Sequence, residues 1–427
     1  MLQDWFTEAR LGIFLHWGIY STGEWSESWD WFNGAVDRAS YMAQAATFDA
    51  GRFDPDAWAE QFERAGAKYA VLTTKHHDGF PLWDTRLSAW NAKDASAAKR
   101  DLVGPYCEAL RKRGIKVGLY FSHLDWSHPE YATVLPSKPP HPSHAGNRLA
   151  YPEPGHEDPA AWERYLTFHR GQLKELCERY RPDLLWFDGD WERDGAQWRF
   201  EELRDQLQQW APGVVLNSRM GGYGDYGTPE QAMPIRRPDG VWELCVTLND
   251  SWGYRHRDQN FKTVRQCVRM LAECAGMGGN LLLGIGPRSD GSIPDAQAAV
   301  LDGIGRWTSK HEVVLHRTQA GLPTGHWYGP SILSHDRETL YLVVLDRPID
   351  GVAVKGIRNK VLSTRIIGGQ VTPHRVVGGA PWANLPGELW IDVPPDALDA
   401  DATVIAVTLE GPLDLYTGSG HAVTHNP

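Results

Sequence analysis

From the N-terminus to about residue 310, short apolar runs that stop in polar or charged residues alternate with longer amphipathic segments. This alternation constrains the fold more than any other feature of the chain, because each period predicts its own element. Runs at residues 12–16, 69–74, 116–121, 184–188, 214–217, 242–248 and 280–285 predict strands. Helices are expected between them, at about residues 54–65, 101–113, 158–180, 198–210 and 263–276. The first opens on Asp54-Pro55-Asp56 and is stopped by Gly66, and the second is closed by Gly114. Helix-linked strands in that number are parallel, and over about 300 residues they predict a closed (β/α)8-like barrel rather than an open sheet.

After about Leu315 the pattern changes to short β-rich segments at residues 340–345, 352–355, 364–367, 389–393 and 403–409, spaced by Gly, Pro and Asp turns. That spacing predicts a small antiparallel β-sandwich. The expected organisation is a barrel over residues 1–312, a sandwich over 313–415 and a tail over 416–427. Hydrophobic and charged contents of 42% and 23% are those of an ordinary globular protein. A net charge of -11 argues against nucleic-acid or anionic-membrane partners, and no run of 18 apolar residues is present to span a bilayer. Met1-Leu2-Gln3-Asp4-Trp5-Phe6 lacks a basic segment followed by an apolar one, so the expected location is the cytoplasm. Cys107, Cys177, Cys245, Cys267 and Cys274 show no C-x-x-C spacing, which predicts buried free thiols and no structural zinc.

Nearly every predicted strand ends in chemistry: His16, His76 with His77, Tyr120, Asp188 with Asp190, Asn217 with Arg219, and Glu243. In such a barrel these residues converge at the C-terminal strand ends. Asp188 ends the most apolar strand and shares a face with Trp186, while Phe187 points the other way. Acids in these positions point to glycoside hydrolysis, in which one carboxylate attacks or activates water and a second protonates the leaving oxygen. The 20 Trp fit planar or ring-shaped ligands such as sugars, or else fill a large core. Asp188 is the expected nucleophile; Asp190, on the same face, is expected to cap a loop. Two residues compete for the acid, Asp258 in the loop at 254–261 and Glu243 inside a strand. The adjacent His76 and His77 also admit a metal reading with His16 and Asp188, but adjacent strand residues point to opposite faces, and no H-E-x-x-H spacing occurs.

These residues resemble the α-L-fucosidases of glycoside hydrolase family 29. The resemblance rests on Phe14-Leu15-His16-Trp17-Gly18, on Lys75-His76-His77-Asp78-Gly79-Phe80 with the strand before it, and on Leu185-Trp186-Phe187-Asp188-Gly189. It continues through Gly224-Asp225-Tyr226-Gly227-Thr228-Pro229-Glu230, Trp242-Glu243, Ser251-Trp252-Gly253-Tyr254 and Gly278-Gly279-Asn280-Leu281-Leu282-Leu283. It implies a retaining exo-acting hydrolase of terminal α-L-fucosyl linkages, with no cofactor and no metal, whose partner is a fucosylated glycan. Homo-oligomerisation stays open. It also implies that Asp188 is the nucleophile, that His16, His76, His77, Tyr120 and Trp186 hold the sugar, and that Asp258, or failing it Glu243, is the acid. Asp30-Trp31-Phe32 stands where the family has Glu-Trp-Tyr, which makes Asp30 and Trp31 expected sugar contacts, with Asp30 a shorter arm. Gly284 stands where asparagine is usual. These two departures keep a second reading, a catalytically impaired sugar-binding protein, beside a third, a metal-dependent hydrolase.

Overall fold

The computed structural model describes residues 3–134, 157–349 and 351–421. Seven parallel strands form one sheet: β1 Leu11–Leu15, β2 Tyr69–Lys75, β3 Lys116–Ser122, β4 Leu184–Asp188, β5 Val215–Leu216, β6 Glu243–Thr247 and β7 Asn280–Ile285. Their spatial order is β5-β4-β3-β2-β1-β7-β6. The gap between β5 and β6 is spanned by an irregular segment, with parallel bridges Asn217–Tyr226, Gly227–Trp242 and Glu230–Cys245. Its backbone bonds reach both neighbours, Asp225 N–H to Leu216 O at 2.7 Å on the β5 side and, on the β6 side, Gly227 N–H to Val241 O at 2.9 Å, Glu243 N–H to Gly227 O at 2.9 Å and Cys245 N–H to Pro229 O at 3.1 Å. The ring therefore closes through residues 225–231, which no strand pattern announces.

Helices cover the outside of this ring and begin where side chains cap them. Asp54 accepts from Ala57 N–H ahead of Pro55–Ala65, Asp158 from Ala160 and Ala161 N–H ahead of Pro159–Tyr180, and Thr263 forms a capping box with Gln266 ahead of Val264–Gly276. Apolar side chains fill two layers. One lies between helices and sheet, and the other fills the ring itself with Phe14, Tyr69, Tyr120, Trp186, Tyr226 and Leu282.

Eight further strands build the C-terminal sandwich: β8 Thr318–Ala320, β9 Ser331–Ser334, β10 Thr339–Val344, β11 Val352–Val354, β12 Val361–Ile366, β13 His374–Val377, β14 Glu388–Ile391 and β15 Thr403–Leu409. They pair antiparallel as β12-β15-β10-β9-β8 and β11-β14-β13, around Leu340, Leu342, Val354, Leu389, Ile391 and Val407. The sandwich is tied to the barrel where Trp307, on helix Asp295–Lys310, donates its indole N–H to Ala402 O at 2.8 Å. All five cysteines are buried and free. Among the described residues no helix is long and apolar enough to cross a membrane. The expected tail beyond residue 421 and residues 135–156 lie outside the described residues.

Candidate active site

A cavity of about 430 Å³ opens at the C-terminal ends of the barrel strands, lined among others by His16, His76, Tyr120, Trp186, Asp188 and Arg219. Asp188 is placed there by strand periodicity. It ends β4 beside Ser122, and Trp186, two residues back on the same face, lies beside Tyr120. Phe187 points outward and stacks on His123 at 4.6 Å. The Asp188 carboxylate is 8% exposed and closely held. Tyr120 OH donates to its Oδ2 at 3.0 Å, and Arg219 Nη1 and Gly189 N–H donate to Oδ1 at 2.7 and 3.1 Å. Burial, with Asp188 beside it, holds the Tyr120 phenol well above its ordinary pKa, so this donor keeps its proton.

Three histidines surround the carboxylate. β2 ends at Lys75, so His76 and His77 lie beyond the pleat and both reach the site, their rings 4.2 Å apart. His77 Nε2 lies 3.6 Å from Asp188 Oδ2 and His77 Nδ1 is 2.6 Å from Ser122 Oγ. His76 Nδ1 is 2.7 Å from Ser28 Oγ. Burial, and His76 beside it, push the His16 imidazole well below 6.5; burial, and His77 beside it, do the same to His76. Neutral imidazoles of this kind offer one donor and one acceptor each, as sugar hydroxyls require. Aromatic faces supply the apolar part of the wall: Trp186 is 4.9 Å from Phe14, and Trp252 stacks on His16 at 4.8 Å. Among the described residues no three His, Cys, Asp or Glu side chains converge as a metal site.

The cavity carries a second carboxylate, Glu230, on the segment that closes the barrel. Arg219 links the two acids, one guanidinium nitrogen on Asp188 Oδ1 and the other on Glu230 Oε2, with its plane 4.6 Å over the Trp186 ring. Two oxygens bound to one guanidinium stand within about 7 Å of each other, which admits the roughly 5–5.5 Å carboxyl separation of retaining glycosidases.

A family model described as alpha-L-fucosidase matches residues 1–312. This chain belongs to the α-L-fucosidase family. The tissue alpha-L-fucosidase of Mus musculus is 36% identical over 335 residues, 72% of this chain and 69% of that protein. Alpha-L-fucosidase isoenzyme 1 from Paenibacillus thiaminolyticus superposes with a TM-score of 0.83 at 33% identity, covering 95% of this chain and 98% of that one. A Bacteroides thetaiotaomicron alpha-L-fucosidase, solved as a covalent intermediate trapped with 2-fluoro-fucosyl fluoride in a Glu-to-Gln mutant, superposes at 0.80 with 26% identity over 95% of both chains.

Within this α-L-fucosidase fold the expected site residues divide. Asp188, His16, His76, His77, Tyr120 and Trp186 come together as the sequence reading expects. Neither acid candidate is among the residues that line the cavity. Glu243 is wholly buried inside the barrel, where Trp186 Nε1 donates to it at 2.9 Å and the hydroxyls of Tyr69 and Tyr226 also donate. Burial raises its carboxyl to about 7, against those hydrogen bonds, but Trp186 stands between it and the cavity. Asp258 spends Oδ2 on Asn249 Nδ2 at 2.7 Å and on Asp250 N–H at 3.0 Å, and so orders its own loop rather than lining the cavity. Asp30 and Trp31 do not line the cavity either. Asp30 pairs with Arg255 at 2.9 Å, and Trp31 stacks on Tyr41 in the core; in the short helix Trp29–Phe32 it is Trp29 that faces the cavity. Asp190 accepts from Gly221 N–H at 3.0 Å, the loop-capping role expected of it. A Cβ at Gly284 would stand 3.1 Å from the Trp252 ring, so the missing side chain is the space the indole occupies.

Proposed function

We propose that the chain is a retaining exo-α-L-fucosidase, and that Asp188 and Glu230 are its two acids. The observation that carries the assignment is the single guanidinium shared by two carboxylates in the wall of a cavity lined by neutral histidines and indoles. Asp188 attacks the anomeric carbon while Glu230 gives its proton to the leaving oxygen. Arg219 then coordinates the exchange of charge. While Asp188 is an anion, the cation is spent on it; once Asp188 is a neutral ester, the cation stabilises the Glu230 carboxylate that has just lost its proton, and Glu230 takes a proton from the attacking water. Tyr120, His16, His76 and His77 hold the hydroxyls, and Trp186 and Phe14 receive an apolar ring face. The trapped intermediate of the Bacteroides relative supports retention, and its Glu-to-Gln change agrees with a glutamate as the acid.

Asp30 is not among the residues lining the cavity, which speaks against the impaired-binder reading. Activity on aryl glycosides that differ only in the sugar tests the proposal. Turnover is expected for the α-L-fucoside alone; turnover of another sugar, or of none, overturns it.

A further inference from the structure

Ser28 is wholly buried between the first loop of the barrel mouth and the His76-His77 turn. Its Oγ accepts from Asp78 N–H at 2.9 Å and lies 2.7 Å from His76 Nδ1. Among the described residues the hydroxyl hydrogen has one acceptor within reach, that Nδ1, and a buried hydroxyl left unpaired is costly. An imidazole that accepts at Nδ1 and stays neutral carries its hydrogen on Nε2. The neighbouring His77 is set the other way. Ser122 Oγ already donates to Leu124 O at 2.9 Å, so at 2.6 Å from His77 Nδ1 it accepts, and His77 carries its hydrogen on Nδ1.

The backbone at Ser28 is built for this contact. Its φ of 56° and ψ of -35° lie outside the regions an L-residue favours, a strained conformation that persists only where neighbours impose it. Tyr41 imposes it: Ser28 N–H donates to Tyr41 OH at 2.6 Å, and that hydroxyl donates to Asp78 Oδ2 at 3.0 Å. We propose that Ser28 is a positioning residue that fixes His76 as the Nε2–H tautomer, while Ser122 fixes His77 as the Nδ1–H tautomer, so that His76 meets the sugar as a hydrogen-bond donor. The identity of the acceptor, a fucose hydroxyl oxygen, rests on the function proposed above.

The test uses Ser28→Gly, because glycine adopts this backbone without strain. In protein labelled with ¹⁵N-histidine, with the His76 signals assigned by their loss in His76→Phe, the wild type is expected to show Nε2 protonated and Nδ1 bare. Ser28→Gly should mix the tautomers and lower kcat/KM on an aryl α-L-fucoside about tenfold, chiefly through KM. In the His76→Phe background the same change should cost nothing further, since the two residues act as one unit. A wild-type His76 protonated on Nδ1, a spectrum unchanged by Ser28→Gly, or an equal loss in both backgrounds overturns the proposal. Absence of wild-type fucoside turnover would instead strike the fucosidase reading and leave the tautomer result standing.

Discussion

Asp188→Asn preserves the shape of the side chain that Tyr120 and Arg219 hold, but removes the nucleophilic oxygen anion. Fucoside hydrolysis is expected to fall by about 10⁴-fold with an unchanged melting temperature; near wild-type turnover would move the nucleophile elsewhere. For Glu230→Ala the loss should depend on the leaving group, severe for a natural fucoside and mild for an activated aryl fucoside, with azide restoring the second step. Asp258→Ala, which removes a loop-ordering carboxylate, should show neither leaving-group dependence nor rescue. The reverse outcome in this pair would return the acid to Asp258. At this scale the sequence discloses residues whose direction is set by a strand. Asp188 and Trp186 are readable from the pleat, and His16 and Tyr120 from their strand ends. Glu230 is not, because it follows Gly-Thr-Pro in a stretch with turn chemistry and no period. Trp29 rather than Trp31 lines the cavity because Trp29–Phe32 forms one helical turn, where residues two apart face different ways.

The element that decides the site is the segment closing the barrel between β5 and β6. It carries Glu230 and is held by bridges to both neighbours. At its start a Cβ on Gly224 would stand 2.0 Å from Asn217 O, a backbone atom that cannot swing aside. Gly224→Ala is therefore expected to displace the segment, costing about 1–3 kcal/mol of stability and lowering kcat more than a stability loss explains. Gly227→Ala, whose Cβ would meet only Val241 O at 4.0 Å, is the control and should stay near wild type in melting temperature and kcat. Equal behaviour of the two variants would show that the close approach at Gly224 does not position Glu230. The seven regular strands are legible in the sequence because burial on both faces demands apolar runs. The closing segment and the strands β8, β9 and β13 are not: the segment bridges its neighbours through Tyr226, Gly227 and Glu230 with no alternation, and the three strands mix polar with apolar residues over too few positions to show a period.

Over the whole molecule, burial raises the carboxyls of Glu27, Asp78, Glu192 and Glu243 to about 7. Each keeps its proton when folded at a pH where the unfolded chain has lost it, so its contribution to stability is lost as the pH rises through 7. Burial also pushes His16, His76 and His169 far below 6.5, and His123 to about 3. Those contributions have the opposite sign and are lost only as the pH falls below about 6.5. Between about pH 6.5 and 8 the acids act alone, and the melting temperature should fall, less steeply in Glu243→Gln than in the wild type. A rise across that window, or parallel curves for the two proteins, would show that these carboxyls are not protonated in the fold. We propose that one carboxylate of this molecule, Asp188, carries the sugar during turnover. The most direct test is the intact mass of the protein after reaction with 2-fluoro-fucosyl fluoride, followed by location of the label in a peptide digest. One 2-fluoro-fucosyl group per chain, on the peptide that contains Asp188 and absent from Asp188→Asn, is the expected result; no covalent adduct, or an adduct on another carboxylate, contradicts it.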